Sequence, residues 1–302
     1  MRYISRAIMI DVSLPIFRST RSSDCEERAF VLTAVGIDSV TGFDGTDFVL
    51  HVGAASAPQA LAHLRQYDAE RNRPAPPPPP PPRTFPHAWL GCVLYVVVLM
   101  GIAAAISRGL WRLDAFELGA LDGGRMQHGE WWRAWTALTL HVDAAHLALN
   151  LGAGAWFGYL AGRQLAVGTA WLLIVFGAAG ANLLEGLLGA ADHRAVGAST
   201  AVFAALGLIA AHSWRERFGL PQRWARRWGP LVAGVILLGW MGSEGENTDL
   251  VGHAAGFVIG ALLGAAAALP AVSRVLERVP QWLAGAIAIG SIGMAWFLAL
   301  TT

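Results

Sequence analysis

From residue 88 onward, long apolar stretches alternate with polar connections, short except for the long one at 107–143, and most of them carry arginine. The stretches cover about residues 88–106, 144–162, 166–189, 197–212, 229–242, 251–270 and 281–300. Several reach the roughly 20 residues that cross a bilayer as a helix, whereas the fourth and fifth are short and need neighbours, tilt or local thinning. Seven spans are expected. Residues 1–72 have a different rhythm: 30–35 and 48–52 read as strands around a turn-rich 38–47, and 58–71 reads as a helix with proline in its first turn. A small soluble α/β module is therefore expected at 1–72, a linker at 73–86 and a membrane domain at 87–302. Residues 76–82 are seven consecutive prolines, a stiff polyproline spacer on the order of 20 Å long at about 3.1 Å per residue.

Composition supports the membrane reading, since 55% of the residues are hydrophobic and only 14% charged, beyond the range of soluble domains. A net charge of +1 gives no reason to expect a nucleic-acid partner. Cys25 and Cys92 lie in different regions, so no disulfide framework is indicated. Charged residues scattered through the first thirty positions leave no apolar core of signal-peptide length, and no cleaved signal is expected. The arginines carry information by position. Arg71, Arg73 and Arg83 precede the first span, and Arg163 follows the second. Arg215, Arg217, Arg223, Arg226 and Arg227 follow the fourth, and Arg274 and Arg278 follow the sixth. The opposite side has Glu244, Glu246 and Asp249. The positive-inside rule then places the N-terminus in the cytoplasm and the C-terminus outside, which fits a bacterial inner membrane.

With this topology the second, fourth and sixth spans all start at the outer face. His146 and Asn150, Ser199 and His253 stand at those starts, and polar groups that are costly in lipid normally face a bundle interior or a water-filled cavity. Gly252, Gly256, Gly260 and Gly264 form a stripe along span six, and Gly197, Ala201 and Ala205 a second along span four, so the two backbones are expected to approach closely. A serine hydroxyl is a poor nucleophile until a base takes its proton, and histidine is such a base near neutrality. Ser199 with His253 supplies both, and the oxyanion formed on attack needs donors: the Ser199 backbone N–H, the Asn150 amide and a His146 nitrogen. No acidic residue suits a third position, Asp192 belonging to a surface loop, so a dyad is expected. His141 is expected to make a structural bond rather than to act in catalysis, and Trp132 and Arg133 to anchor the long loop at the outer interface.

Those residues resemble a rhomboid intramembrane serine protease over residues 85–300. Trp132-Arg133 with Glu130 is similar to the family's Trp-Arg motif. HVDAAHLALN at 141–150 resembles the HxxxN element with its upstream histidine, GAST at 197–200 the GxSG motif, and GHAAGFVIG at 252–260 the GHxxGxxxG element. The resemblance implies a polytopic α-helical membrane protein, a six-helix bundle plus a C-terminal seventh helix. It further implies Ser199 as nucleophile, His253 as base, His146 and Asn150 as oxyanion stabilisers, and Phe203 stacked on His253. No cofactor and no metal are implied. The implied substrates are membrane proteins with a single transmembrane helix, cut in the bilayer through an acyl-enzyme. Thr200 departs from the motif, where glycine is usual. The alternative is a rhomboid-like binder or escort of membrane proteins that does not cleave.

Overall fold

The computed structural model describes residues 13–72, 84–109, 114–218, 224–242 and 249–302. The proline run and the charges at Arg73, Arg83, Arg223, Glu244 and Glu246 lie outside them. The chain divides into two compact units, Met1–Pro81 and Pro82–Thr302.

In the first unit, β1 (Ser13–Ser19), α1 (Ser22–Ala34), β2 (Ser39–Phe43), β3 (Phe48–Gly53) and α2 (Ala57–Arg71) build an antiparallel sheet of order β1-β3-β2 with two helices. Residues 30–35, expected as a strand, end a helix instead. Cys25, Arg28 and Leu32 are buried at helical spacing, while Phe30 is 76% exposed. Gly36, at φ +77°, then closes α1 as Ile37 N–H donates to Leu32 O, a Schellman-type stop. A local run of β-formers thus yields to the face it has to bury. The turn-rich 38–47 also contains β2, and only its second half turns. There the Asp44 carboxylate accepts from Thr46 and Asp47 N–H, bonds that hold its pKa down at about 2. Pro15 is tolerated because β1 is an edge strand, and the register shifts beside it between Pro15 and Phe17. Buried Arg28 is held by Asp68 at 2.6 Å and lies 3.9 Å over the Phe17 ring.

The second unit contains α3 (Trp89–Ser107), α4 (Ala115–Gly119), β4 (Leu121–Asp122), α5 (Gly123–Gln127), α6 (Arg133–Thr136), α7 (Ala144–Leu165) and α8 (Val167–Leu188). After these come β5 (Arg194–Ala195), α9 (Ser199–Glu216), α10 (Trp224–Gly242), α11 (Leu250–Ala267), α12 (Pro270–Leu276) and α13 (Gln281–Thr301). Among the described residues, α3, α8, α11 and α13 are long and apolar enough by themselves to cross a bilayer. These four make the chain a polytopic helical membrane protein. The fourth and fifth apolar stretches sit in longer helices than their apolar cores suggest: α9 has 18 residues and α10 has 19. Of the four spans α8 is the most buried and α3 the least, as an evenly apolar helix facing lipid should be.

The glycine stripe of α11 explains the closest pairing, but not with the face of α9 expected from sequence. A β-carbon on Gly256, Gly260 or Gly264 would lie 2.6, 2.0 or 2.2 Å from the backbone oxygens of Thr200, Ala204 and Leu208. The contacting row on α9 is therefore Thr200-Ala204-Leu208, whereas Ala201 borders an apolar cavity between α3, α8 and α13. Small residues mark both faces of α9, so size alone does not identify the facing row. Gly252 leaves the stripe altogether, lying against the carboxylates of Asp249 and Glu185.

Candidate active site

Three helices start at one cavity of about 1120 Å³, whose lining includes His146 and Asn150 of α7, Ser199 and Phe203 of α9, and His253 of α11. Each start is specified locally. Asp143 caps α7 by accepting His146 N–H at 2.7 Å, and Asp249 caps α11 by accepting Gly252 N–H at 2.9 Å. Side-chain caps of this kind replace the partners that first-turn amides lack. Ser199 opens α9 after Gly197, whose φ of +136° turns the chain sharply into the helix. The partial positive charge at three helix starts favours an anion in the space between them.

Gly197 is where the site is tightest. A β-carbon there would lie 2.8 Å from His146 Cε1, 2.9 Å from His146 Nε2 and 3.4 Å from Ser199 Oγ. The imidazole of α7 and the hydroxyl of α9 thus converge on a bare α-carbon. Asn150 is 5% exposed and donates one amide hydrogen to His146 O at 3.0 Å, which leaves the second hydrogen of the amide for another acceptor. Tyr95 of α3 donates to Asn150 O at 2.8 Å, holding that turn of α7 from outside. The Phe203 and His253 rings lie 4.5 Å apart, centre to centre, at a tilt of 40°.

Thr200 is 4% exposed and is not part of the cavity wall. Its methyl carbon faces the α-carbon of Gly256, so the side chain fills space between α9 and α11. His141 sits behind the site: its Nε2 accepts from Ala198 N–H at 3.3 Å, and its ring meets His146 edge-on at 5.1 Å. Burial, and then the neighbouring His146, push its pKa down to about 4 against a hydrogen bond at Thr139. A neutral ring is what lets its nitrogen accept from the residue before Ser199.

Arg133 anchors the loop from within rather than at its surface, while Trp132 is half-buried. Arg133 is 2% exposed, and its guanidinium meets Glu130 at 2.6 Å and the carbonyls of Ala120 and Glu117 at 2.8 Å each. It is the internal fastener of the loop, fully paired as a buried charge must be. Trp132 packs against the buried cluster that contains Leu140 and Trp296. The loop in turn fixes the serine: Gly197 N–H donates to Ala137 O at 2.9 Å, and β4 pairs with β5. Asp192 is exposed, in a loop. Two residues that carry the geometry drew no notice from sequence or were read otherwise. Asp249 looked like an orientation charge, although an Asp three residues before Gly252 at a helix start is a legible cap. Gly197 looked like part of a packing stripe, and only its φ and its contact with His146 mark its use.

Residues 128–269 match the model of the Rhomboid domain. Rhomboid protease GluP of Bacillus subtilis (strain 168) is 30% identical over 271 residues, which cover 87% of this chain and 47% of that relative. The chain spans about half the length of the curated relative it matches. The matched segment includes all three helix starts that meet at the cavity, and through it the chain carries a domain of the rhomboid family.

Proposed function

We propose that this protein is an intramembrane serine endopeptidase that cleaves transmembrane segments of membrane proteins through a Ser199–His253 dyad. The observation that carries the reading is the convergence of Ser199, His253, His146 and Asn150 on one cavity. His253 takes the proton as Ser199 Oγ attacks the scissile carbonyl, and returns it to the departing amine. The tetrahedral oxyanion is met by the Ser199 N–H at the start of α9, the free hydrogen of the Asn150 amide and His146 Nε2–H. Water then hydrolyses the acyl-enzyme. Phe203 against the imidazole limits its rotation and keeps it turned toward α9.

The rest of the reading concerns the membrane. α7, α9 and α10 join the four more apolar helices as spans, giving six plus one. Residues 1–72 form a separate cytoplasmic module joined by a linker at 73–86 to the membrane domain at 87–302. The protein lies in a bacterial inner membrane with the C-terminus outside. Substrates are proteins with a single transmembrane helix, whose scissile strand must unwind to reach a nucleophile below the outer surface. Relationship to a protein named as a rhomboid protease supports the activity.

Labelling of detergent-solubilised protein with a fluorophosphonate tests this. Wild type is expected to label, and Ser199→Ala and His253→Ala to lose the signal. Folded wild type that neither labels nor cuts a model transmembrane substrate would replace the protease by the non-cleaving binder.

A further inference from the structure

Beside the cavity, at the end of α8 and the start of α11, three side chains from distant positions converge. Glu185 of α8, His193 of the following loop and Asp249 at the cap of α11 offer ligand atoms that all lie within 4.8 Å of one another. The Glu185 side chain is only 4% exposed, and its Oε2 is buried without a hydrogen-bond partner. That oxygen and Asp249 Oδ2 both lie against the bare α-carbon of Gly252. His193 Nε2 lies 3.2 Å from Glu185 Oε1, yet no hydrogen bond satisfies that nitrogen.

Two carboxylates brought together in a protected place repel one another unless a cation lies between them or one of them keeps its proton. The spacing of the imidazole and the first carboxylate selects the cation. Two ligands of one tetrahedral ion, each at about 2.0 to 2.1 Å, are separated by about 3.3 Å. Nitrogen and oxygen atoms that face each other at that distance without a hydrogen bond match a pair of ligands on one ion. One imidazole with two carboxylates favours a borderline ion of the zinc kind over calcium or magnesium, which prefer oxygen alone.

We propose that Glu185, His193 and Asp249 form a divalent-cation site of the zinc type that clamps the start of α11 to the end of α8. Asp249 Oδ1 accepts Gly252 N–H, and Asp249 O accepts His253 N–H at 3.1 Å. An ion held by the other oxygen of this residue therefore fixes the helix turn that carries His253. The spacing of the three in the chain resembles no metal motif, because the site is made by the packing of α8 against α11.

The test is binding rather than catalysis, so it stands or falls separately from the protease reading. Full-length protein purified without a polyhistidine tag and stripped with a chelator is titrated with Co²⁺ in detergent. One Co²⁺ per chain, with visible d–d absorption that Zn²⁺ abolishes, is expected. Glu185→Gln should remove the bands. His193→Ala, a change in a partly exposed loop that leaves the helices intact by circular dichroism, should weaken binding by more than about 10-fold. Absence of the bands in wild type would overturn the proposal and leave a shared proton with an imidazolium as the neutralising arrangement. Unchanged affinity in a folded His193→Ala variant would overturn it by placing the ion elsewhere.

Discussion

Gly197 shows how much a single residue contributes here, because both its conformation and its empty side exclude a side chain. At φ +136° an L-residue is strained, and a β-carbon would meet His146 before it met Ser199. Strain of this kind costs on the order of 1–3 kcal/mol. Gly197→Ala is therefore expected to cut fluorophosphonate labelling by more than about 10-fold with helical content retained, measured by labelling rate beside circular dichroism. His141 makes a second case, through its charge. Its pKa is about 4 in the fold against 6.5 when free, so the unfolded chain binds the extra proton first as pH falls. The stability it contributes is complete above about 6.5 and lost as pH falls toward about 4. Melting temperatures measured across that window are expected to fall, and His141→Gln to flatten the fall. Ser199, His253, His146 and Asn150 were legible because polar groups at apolar helix starts stand out. That His141 makes a structural bond was expected, but its partner was not, nor was the placement of Thr200, because which side of a backbone a ring or a methyl takes depends on its neighbours. The neighbours are Ala198 for one and Gly256 for the other.

Pairing of α9 with α11 rests on repeated contact of glycine with carbonyl oxygen, which lets two backbones meet without intervening side chains. Gly260 has the least room of the three. Gly260→Val is expected to destabilise the protein by about 1–3 kcal/mol by forcing the helices apart. Gly285→Ala on α13, where a β-carbon meets nothing within 4 Å, should leave stability unchanged. Thermal unfolding in one detergent checks both. The connection of α7 to α8 carries an opposite lesson. Ala166 alone joins them at φ +66°, a conformation that glycine adopts without strain. Ala166→Gly is expected to raise the melting temperature in the same assay. Element positions in the membrane unit followed from apolar length, but ends shifted wherever a helix outlasted its apolar core, as α9 and α10 do. Helix α1 was misread as a strand for a related reason. Phe30, Val31 and Val35 favour strands locally, and only the burial of Cys25 and Leu32 against the sheet decides otherwise.

At the scale of the molecule, the proposed orientation is open to a direct measurement. A reporter active only outside the cytoplasmic membrane is expected to be active when fused after residue 302 and silent when fused after residue 217. The reverse result would invert the assignment of every connection, since arginine bias is counted across all of them together. The sequence by itself determined that the chain crosses membranes, because apolar length is a local property that no packing can hide. It also determined which polar residues stand at helix starts, because a 3.6-residue period and a capping Asp are written within a few positions. Only the tertiary structure decided which row of α9 meets α11, that Arg133 lies inside the loop rather than at a lipid surface, and that Glu185, His193 and Asp249 share one place. Those outcomes depend on rotation of one helix against another and on burial of charge beside specific carbonyls. They arise between segments far apart in the chain, where no local pattern records them.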